Sequence, residues 1–325
     1  MALQPLPRPY RAPSWLPGGH AQTLYAALGA PRPPALRFDR HRVNTPDHDF
    51  FDIDYLAGRE SARHGLLLFH GLEGSARSHY VRPLAHACAK RGWHFALVYF
   101  RGCSGSPNQL PRAYHAADSA AIASGVHHAV HTFPQQTWFA CGISLGGNAL
   151  LKHLAACPSS PLAGAATVSA PLDLFVAGEA LDQRRLNRWL YTRHFLGTLK
   201  VKALAKTASA PELLCRDHIR RARTLRAFDD AYTAPVHGFS GVLDYWRQAS
   251  VLSELRQIQH RCLLINARND PFLPASALPD TKEVPAHLVL EQPASGGHVG
   301  FVEGPFPGQL DWLPERIFHF FEHGN

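Results

Sequence analysis

The chain has 325 residues, 46% of them apolar and 18% charged, which supports a sizeable buried core and excludes a disordered chain. Its formal net charge of +8 favours anionic partners in general, without choosing among acidic lipids, phosphorylated molecules and nucleic acid. No apolar run approaches the roughly 18 to 20 residues needed to span a bilayer, and the start Met1-Ala2-Leu3-Gln4-Pro5 lacks the pattern of a signal peptide, so a cytoplasmic protein is expected.

Residues 1–35 are rich in proline and read as an N-terminal arm carrying one short helix near Ala21–Leu28. Leu36–Val43 and Phe50–Leu56 alternate as an antiparallel hairpin, with Asp47 and His48 in its turn. Apolar runs then predict strands at Gly65–Phe69, His94–Phe100, Thr137–Cys141 and Ala163–Ser169. Helical stretches separate them, at Tyr80–Arg91, Ala116–His131 and Asn148–Ala156. This alternation predicts an α/β fold with a mostly parallel sheet and helices on both faces. It stops at Pro171. Roughly 174–236 is helical and charged without a strand, as an inserted helical cap would be. A helix at Gly241–Gln248, strands at Cys262–Asn266 and His287–Leu290, and a last helix at Trp312–Glu322 complete a single domain over 1–325. Cys88, Cys103, Cys141, Cys157, Cys215 and Cys262 form no Cys-x-x-Cys pair and read as buried free thiols. Most of the 21 histidines are expected on surfaces or in loops.

Four motifs carry chemistry. Gly142-Ile143-Ser144-Leu145-Gly146 fits Gly-x-Ser-x-Gly between a strand and a helix, the context of a nucleophile elbow. His70-Gly71-Leu72-Glu73-Gly74 follows the first parallel strand, where this fold supplies an oxyanion donor. The backbone N–H groups of Leu72 and Leu145 are the expected pair. Asp270, in Asn269-Asp270-Pro271, follows a strand between serine and histidine in chain order, with Asp173 as the fallback acid. His298, between Gly297 and Val299, follows the last strand. Ser144, Asp270 and His298 thus form the expected triad of a serine hydrolase acting on acyl esters. The triad alone does not separate hydrolysis from acyl transfer to an alcohol or thiol. A non-catalytic binding protein would not need all five parts. Cys103, in Arg101-Gly102-Cys103-Ser104-Gly105, is expected to line the pocket without acting as a nucleophile. No cofactor or metal is expected: a dinucleotide fingerprint is absent, and His127, His128 and His131 read as a solvated helix face.

On these residues the chain resembles the YheT-like esterases, a branch of the α/β-hydrolases related to the eukaryotic abhydrolase-domain lipid hydrolases. The resemblance also covers Trp15-Leu16-Pro17, His20-Ala21-Gln22-Thr23-Leu24, Asn148, Phe228-Asp229-Asp230 and Ala267-Arg268-Asn269-Asp270-Pro271-Phe272. It implies Ser144, Asp270 and His298 as triad and cofactor-free ester hydrolysis, but no particular substrate. Eukaryotic relatives often carry an N-terminal membrane anchor, which is not expected in this chain.

Arg216, Arg220, Arg221, Arg223 and Arg226 crowd one predicted helical stretch whose apolar members Ile219, Ala222, Leu225 and Phe228 can dock on the hydrolase core. Its charged face either only aids solubility or makes peripheral contact with anionic substrates and lipid head groups. Nucleic acid is not expected, because no nucleic-acid-binding fold surrounds the stretch.

Overall fold

A computed structural model describes residues 8–324. β1 (Asp39–Asn44) and β2 (Phe50–Leu56) pair antiparallel. The first strand starts later than the alternation suggests, because Leu36 and Phe38 pack against the core instead of pairing. β2 continues antiparallel onto β4 (His94–Val98). From there β3 (His64–Phe69), β5 (Thr137–Ile143), β6 (Gly164–Val168), β7 (Cys262–Ile265) and β8 (Leu288–Glu291) run parallel, giving the order β1-β2-β4-β3-β5-β6-β7-β8. Every residue of β4, β6 and β7 is buried, which is why these strands read as unbroken apolar runs. β1 is the exposed edge. Its Arg40 and Arg42 each grip a buried carboxylate directly opposite on β2, Asp54 and Asp52, through two hydrogen bonds.

The remaining helices of the main body are α1 (Gly19–Leu28), α2 (Val81–Arg91), α3 (Ser119–Thr132), α4 (Leu145–Ala156) and α12 (Trp312–His323). α3 begins after the expected Ala116, because Asp118 accepts the Ala121 N–H and caps the helix there. The main core gathers around Phe69, Phe95, Trp138 and Phe318, all fully buried.

Between β6 and β7 the chain runs through α5 (Leu174–Gln183), α6 (Arg185–Asn187), a π-helical turn at Arg188–Thr192 and α7 (Arg193–Lys206). Then come α8 (Arg216–Arg221), α9 (Leu225–Phe228), a second π-helical turn at Asp229–Thr233, α10 (Ala234–His237) and α11 (Val242–Ala249). The arginine-rich stretch is therefore two short helices rather than one. Thr224 breaks it and caps α9 by accepting the Ala227 N–H. Ile219, Ala222 and Phe228 are buried, but against Leu196, Ala203 and Tyr232 of the insertion itself instead of the sheet core. All five arginines are exposed.

Some side chains depart from expectation. Most histidines are exposed or half-buried, as expected, but His70, His94 and His153 are buried in the interior. His127 and His131 are exposed, but His128 is half-buried against Tyr55. Among the cysteines, Cys215 is exposed. Among the described residues no group of three or more His, Cys, Asp or Glu could hold a metal ion.

Candidate active site

β5 ends at Ile143 and α4 starts at Leu145, so Ser144 alone makes the turn between them. Its backbone sits at φ 50° and ψ −121°, a sparsely populated conformation costing on the order of 1–3 kcal/mol. Crowding dictates the flanking glycines. A Cβ on Gly146 would lie 2.4 Å from the His70 carbonyl oxygen, and one on Gly142 would lie 2.6 Å from Gly147 Cα. The Ser144 N–H is anchored on the Val168 carbonyl of β6. Asn148 ties α4 down by donating to the Ala116 and Ala249 carbonyls, 2.7 Å each.

The structure brings the three distant residues together. His298 Nε2 lies 3.0 Å from Ser144 Oγ, and its Nδ1 lies 2.8 Å from Asp270 Oδ2. The Asp270 carboxyl is fully buried, and its Oδ1 accepts the Phe272 N–H at 2.8 Å. Phe272 also stacks on the His298 ring, with centroids 4.1 Å apart. Asp173 is elsewhere, capping α5 by accepting the Phe175 and Val176 N–H groups.

The loop after β3 lies against the serine turn. Tyr80 Oη accepts the Gly71 N–H and Tyr114 Oη accepts the Glu73 N–H. Among the described residues the N–H between them, on Leu72, meets no acceptor. The Leu145 N–H opens α4 and has no intrahelical acceptor. These are the two N–H groups named from the sequence, and both are left without a partner among the described residues. His70 braces the loop from beneath. Its Nδ1–H donates to the Gly71 carbonyl, 2.7 Å, and its Nε2 accepts the Phe100 N–H, 3.1 Å. His79 Nε2–H similarly donates to the Val299 carbonyl beside His298.

Burial lowers both histidines to about 4, so the folded protein keeps them neutral. The unfolded chain would protonate them near their ordinary value, about 6.5. A depressed folded pKa means that stability is complete above pH ~6.5 and is lost as pH falls toward 4 and below. For His70 the loss is about 3 kcal/mol. The midpoint of urea unfolding should therefore drop across this window, and by less in His70→Gln. A midpoint that stays flat from pH 7 to 4.5 would contradict the assignment.

A cavity of about 430 Å³ opens over Ser144, with the insertion as its roof. Leu174, Leu181, Phe195, Leu199 and Trp246 make much of its wall apolar. One end is polar. Glu73 there accepts hydrogen bonds from Tyr114 Oη, 2.9 Å, and from Lys202 Nζ of α7, 2.8 Å, which links the roof to the oxyanion loop. Cys103 lines the same end. Burial pushes its thiol up to about 12, which keeps it protonated at neutral pH. Sequence reasoning missed Tyr114 and Lys202, whose positions depend on contacts far along the chain, and gave Phe272 no role although it closes a quoted motif.

Comparison with known proteins adds to this geometry. Residues 66–305 match the alpha/beta hydrolase fold family. The chain is 35% identical over 281 residues to YheT of Escherichia coli (strain K12), covering 85% of this chain and 82% of that protein. It is 30% identical over 326 residues to phospholipase ABHD3 of Mus musculus, covering 96% and 78%. Among solved structures, an esterase of Pyrococcus furiosus superimposes with a TM-score of 0.59 at 16% identity, covering 91% of this chain and 97% of that one.

Proposed function

The chain belongs to the α/β-hydrolase fold family, and on that premise we propose that it hydrolyses carboxylic esters through an acyl-enzyme on Ser144. The observation that carries this reading is the unbroken hydrogen-bond line from Ser144 Oγ through His298 to Asp270, under an apolar cavity. His298 Nε2 takes the serine proton as Oγ attacks the acyl carbonyl. Asp270 holds the tautomer with the proton on Nδ1 and stabilises the imidazolium. The oxyanion forms against the Leu72 and Leu145 N–H groups. His298 returns its proton to the departing alcohol. Water then attacks the acyl-enzyme with the same histidine as base, releasing the acid and regenerating Ser144.

The cavity suits a small-molecule or lipid ester with a short- to medium-length acyl chain. Among the described residues no helix is long and apolar enough to cross a membrane. Contact with anionic lipid would be peripheral, through the insertion. Residues 174–236 hold twelve Lys and Arg against six Asp and Glu, so most of the chain's surplus charge lies there. Trp189, 66% exposed, and Leu186, 52% exposed, lie in sequence among the exposed Arg184, Arg185, Arg188 and Arg193. We read 1–325 as one domain, with 174–236 as its cap and 1–35 as its arm, of which 1–7, like residue 325, lie outside the described residues. A cytoplasmic location is part of the same reading, supported by six unpaired cysteines, one of them exposed.

One assay tests the set. Soluble esters graded from acetyl to palmitoyl should be cleaved best at short to medium chains, with matching amides hardly touched. Peptidase activity without esterase activity would sink the proposal. Run on the variant with Arg220, Arg221 and Arg223 changed to Gln, the soluble esters should be cleaved as before. An ester presented on anionic micelles should be cleaved more slowly, with a weaker dependence on salt. No change on the micelles would remove the lipid contact from the reading.

A further inference from the structure

Two adjacent residues of α1 hold both loops that carry the histidine and the acid. Gln22 is 1% exposed. Its Oε1 accepts from Asn269 Nδ2 and from the Gly296 N–H, both 2.9 Å, and its Nε2 donates to the Leu16 carbonyl, 3.0 Å. Thr23 Oγ1 accepts the His298 N–H at 2.8 Å and donates to the Gly19 carbonyl at 2.7 Å. Asn269 Oδ1 closes the network by accepting the Gly297 N–H at 2.9 Å. Each loop is therefore gripped at or next to its functional side chain: Asn269 precedes Asp270, and the His298 N–H is itself held.

The approach of the helix is too close for side chains. A Cβ on Gly19 would come within 1.9 Å of the Asn269 carbonyl oxygen. One on Gly297 would meet the Gly19 carbonyl at 2.6 Å, and one on Gly300 the Gln22 carbonyl at 2.4 Å. Glycines on both partners thus permit the contact. His20 extends it sideways, with Nδ1 3.0 Å from Tyr191 Oη, and Tyr191 packs edge-on against Phe272 beneath the His298 ring. α1 precedes residue 66, where the match to the hydrolase family begins, while the residues it holds lie within that match.

We propose that Gln22 and Thr23 are positioning residues for the reaction, with α1 setting the distances among Asp270, His298 and Ser144. The inference rests on the triad reading above. β7 and β8 bring the two loops to neighbouring strand ends, but the loops themselves are irregular. The α1 bonds fix them, and a displacement of about 1 Å at such a site can cost on the order of a hundredfold in rate.

Thr23→Val and Thr23→Ala remove the acceptor of the His298 N–H, whereas Thr23→Ser keeps it. With a soluble butyryl ester, at a temperature where each variant is folded by circular dichroism, kcat should fall roughly 10- to 100-fold in Val and Ala while KM changes little. Labelling by a fluorophosphonate should slow by the same factor, and Thr23→Ser should restore both. Wild-type kcat in a folded Val or Ala variant would overturn the inference. So would a loss that follows only the unfolded fraction, with folded molecules labelling at the wild-type rate. Ser144→Ala, run alongside, separates the two levels. If it stays active, the triad reading fails; if it is inert beside a fully active Thr23→Val, only the role of α1 fails.

Discussion

Replacing Ser144 with alanine is expected to lower ester turnover roughly a million-fold, the scale of losing a hydrolase nucleophile. The atom removed is the one 3.0 Å from His298 Nε2, and among the described residues no other hydroxyl shares that contact. The fold should survive. The Ser144 backbone is held by its N–H bond to Val168 and by its carbonyl, which accepts the Gly147 and Asn148 N–H groups, and alanine keeps all three. The turn is strained for serine and alanine alike, since both carry a Cβ at φ 50°. The check is kcat on a soluble ester, fluorophosphonate labelling and the thermal midpoint, measured on one preparation. Labelling at the wild-type rate would place the nucleophile elsewhere.

Asp270→Asn should cost about ten thousand-fold in kcat while leaving the loop in place. The Phe272 N–H decides the outcome. It donates to Asp270 Oδ1, so an asparagine would turn its oxygen to Phe272 and its amino group to His298 Nδ1. The imidazole would then have to accept at Nδ1 and carry its proton on Nε2, facing Ser144 Oγ. In that tautomer it cannot take the serine proton. Turnover close to wild type would move the acid role to another residue.

The strands and the serine turn were legible for a common reason. β3 to β7 are buried on both faces, so they appear as short apolar runs, and the motif Gly142–Gly146 falls between one such run and a helix. Asp270 and His298 were readable through their order along the chain, their places just after strands and the motifs around them, Asn269-Asp270-Pro271 and Gly297-His298-Val299. The clamp's residues lie in a motif of the resemblance, His20-Ala21-Gln22-Thr23-Leu24, but what they hold was not readable. Gln22 and Thr23 are ordinary polar helix residues, and their partners lie 247 to 275 residues away. Lys202 reaches Glu73 across 129 residues and looks like a surface lysine in sequence. The break in the arginine-rich stretch did have a local signal, Thr224, a common first residue before a helix. Its second support, the Asp182 carboxylate accepting the Leu225 and Arg226 N–H groups, comes from outside the stretch and had none.

The charged edge of the sheet bears on how the protein behaves at high concentration. An open strand edge offers unpaired backbone groups to any other strand, and a second copy of β1 is the nearest match. Laid antiparallel with His41 facing His41, two such strands would bring Arg40 opposite Arg42 twice over. Both arginines already spend their forks on Asp54 and Asp52 and have no carboxylate to share with an incoming chain. In that register the outermost strand sets like charges opposite one another, and an incoming copy would have to displace or accommodate both arginine–aspartate pairs to extend the sheet.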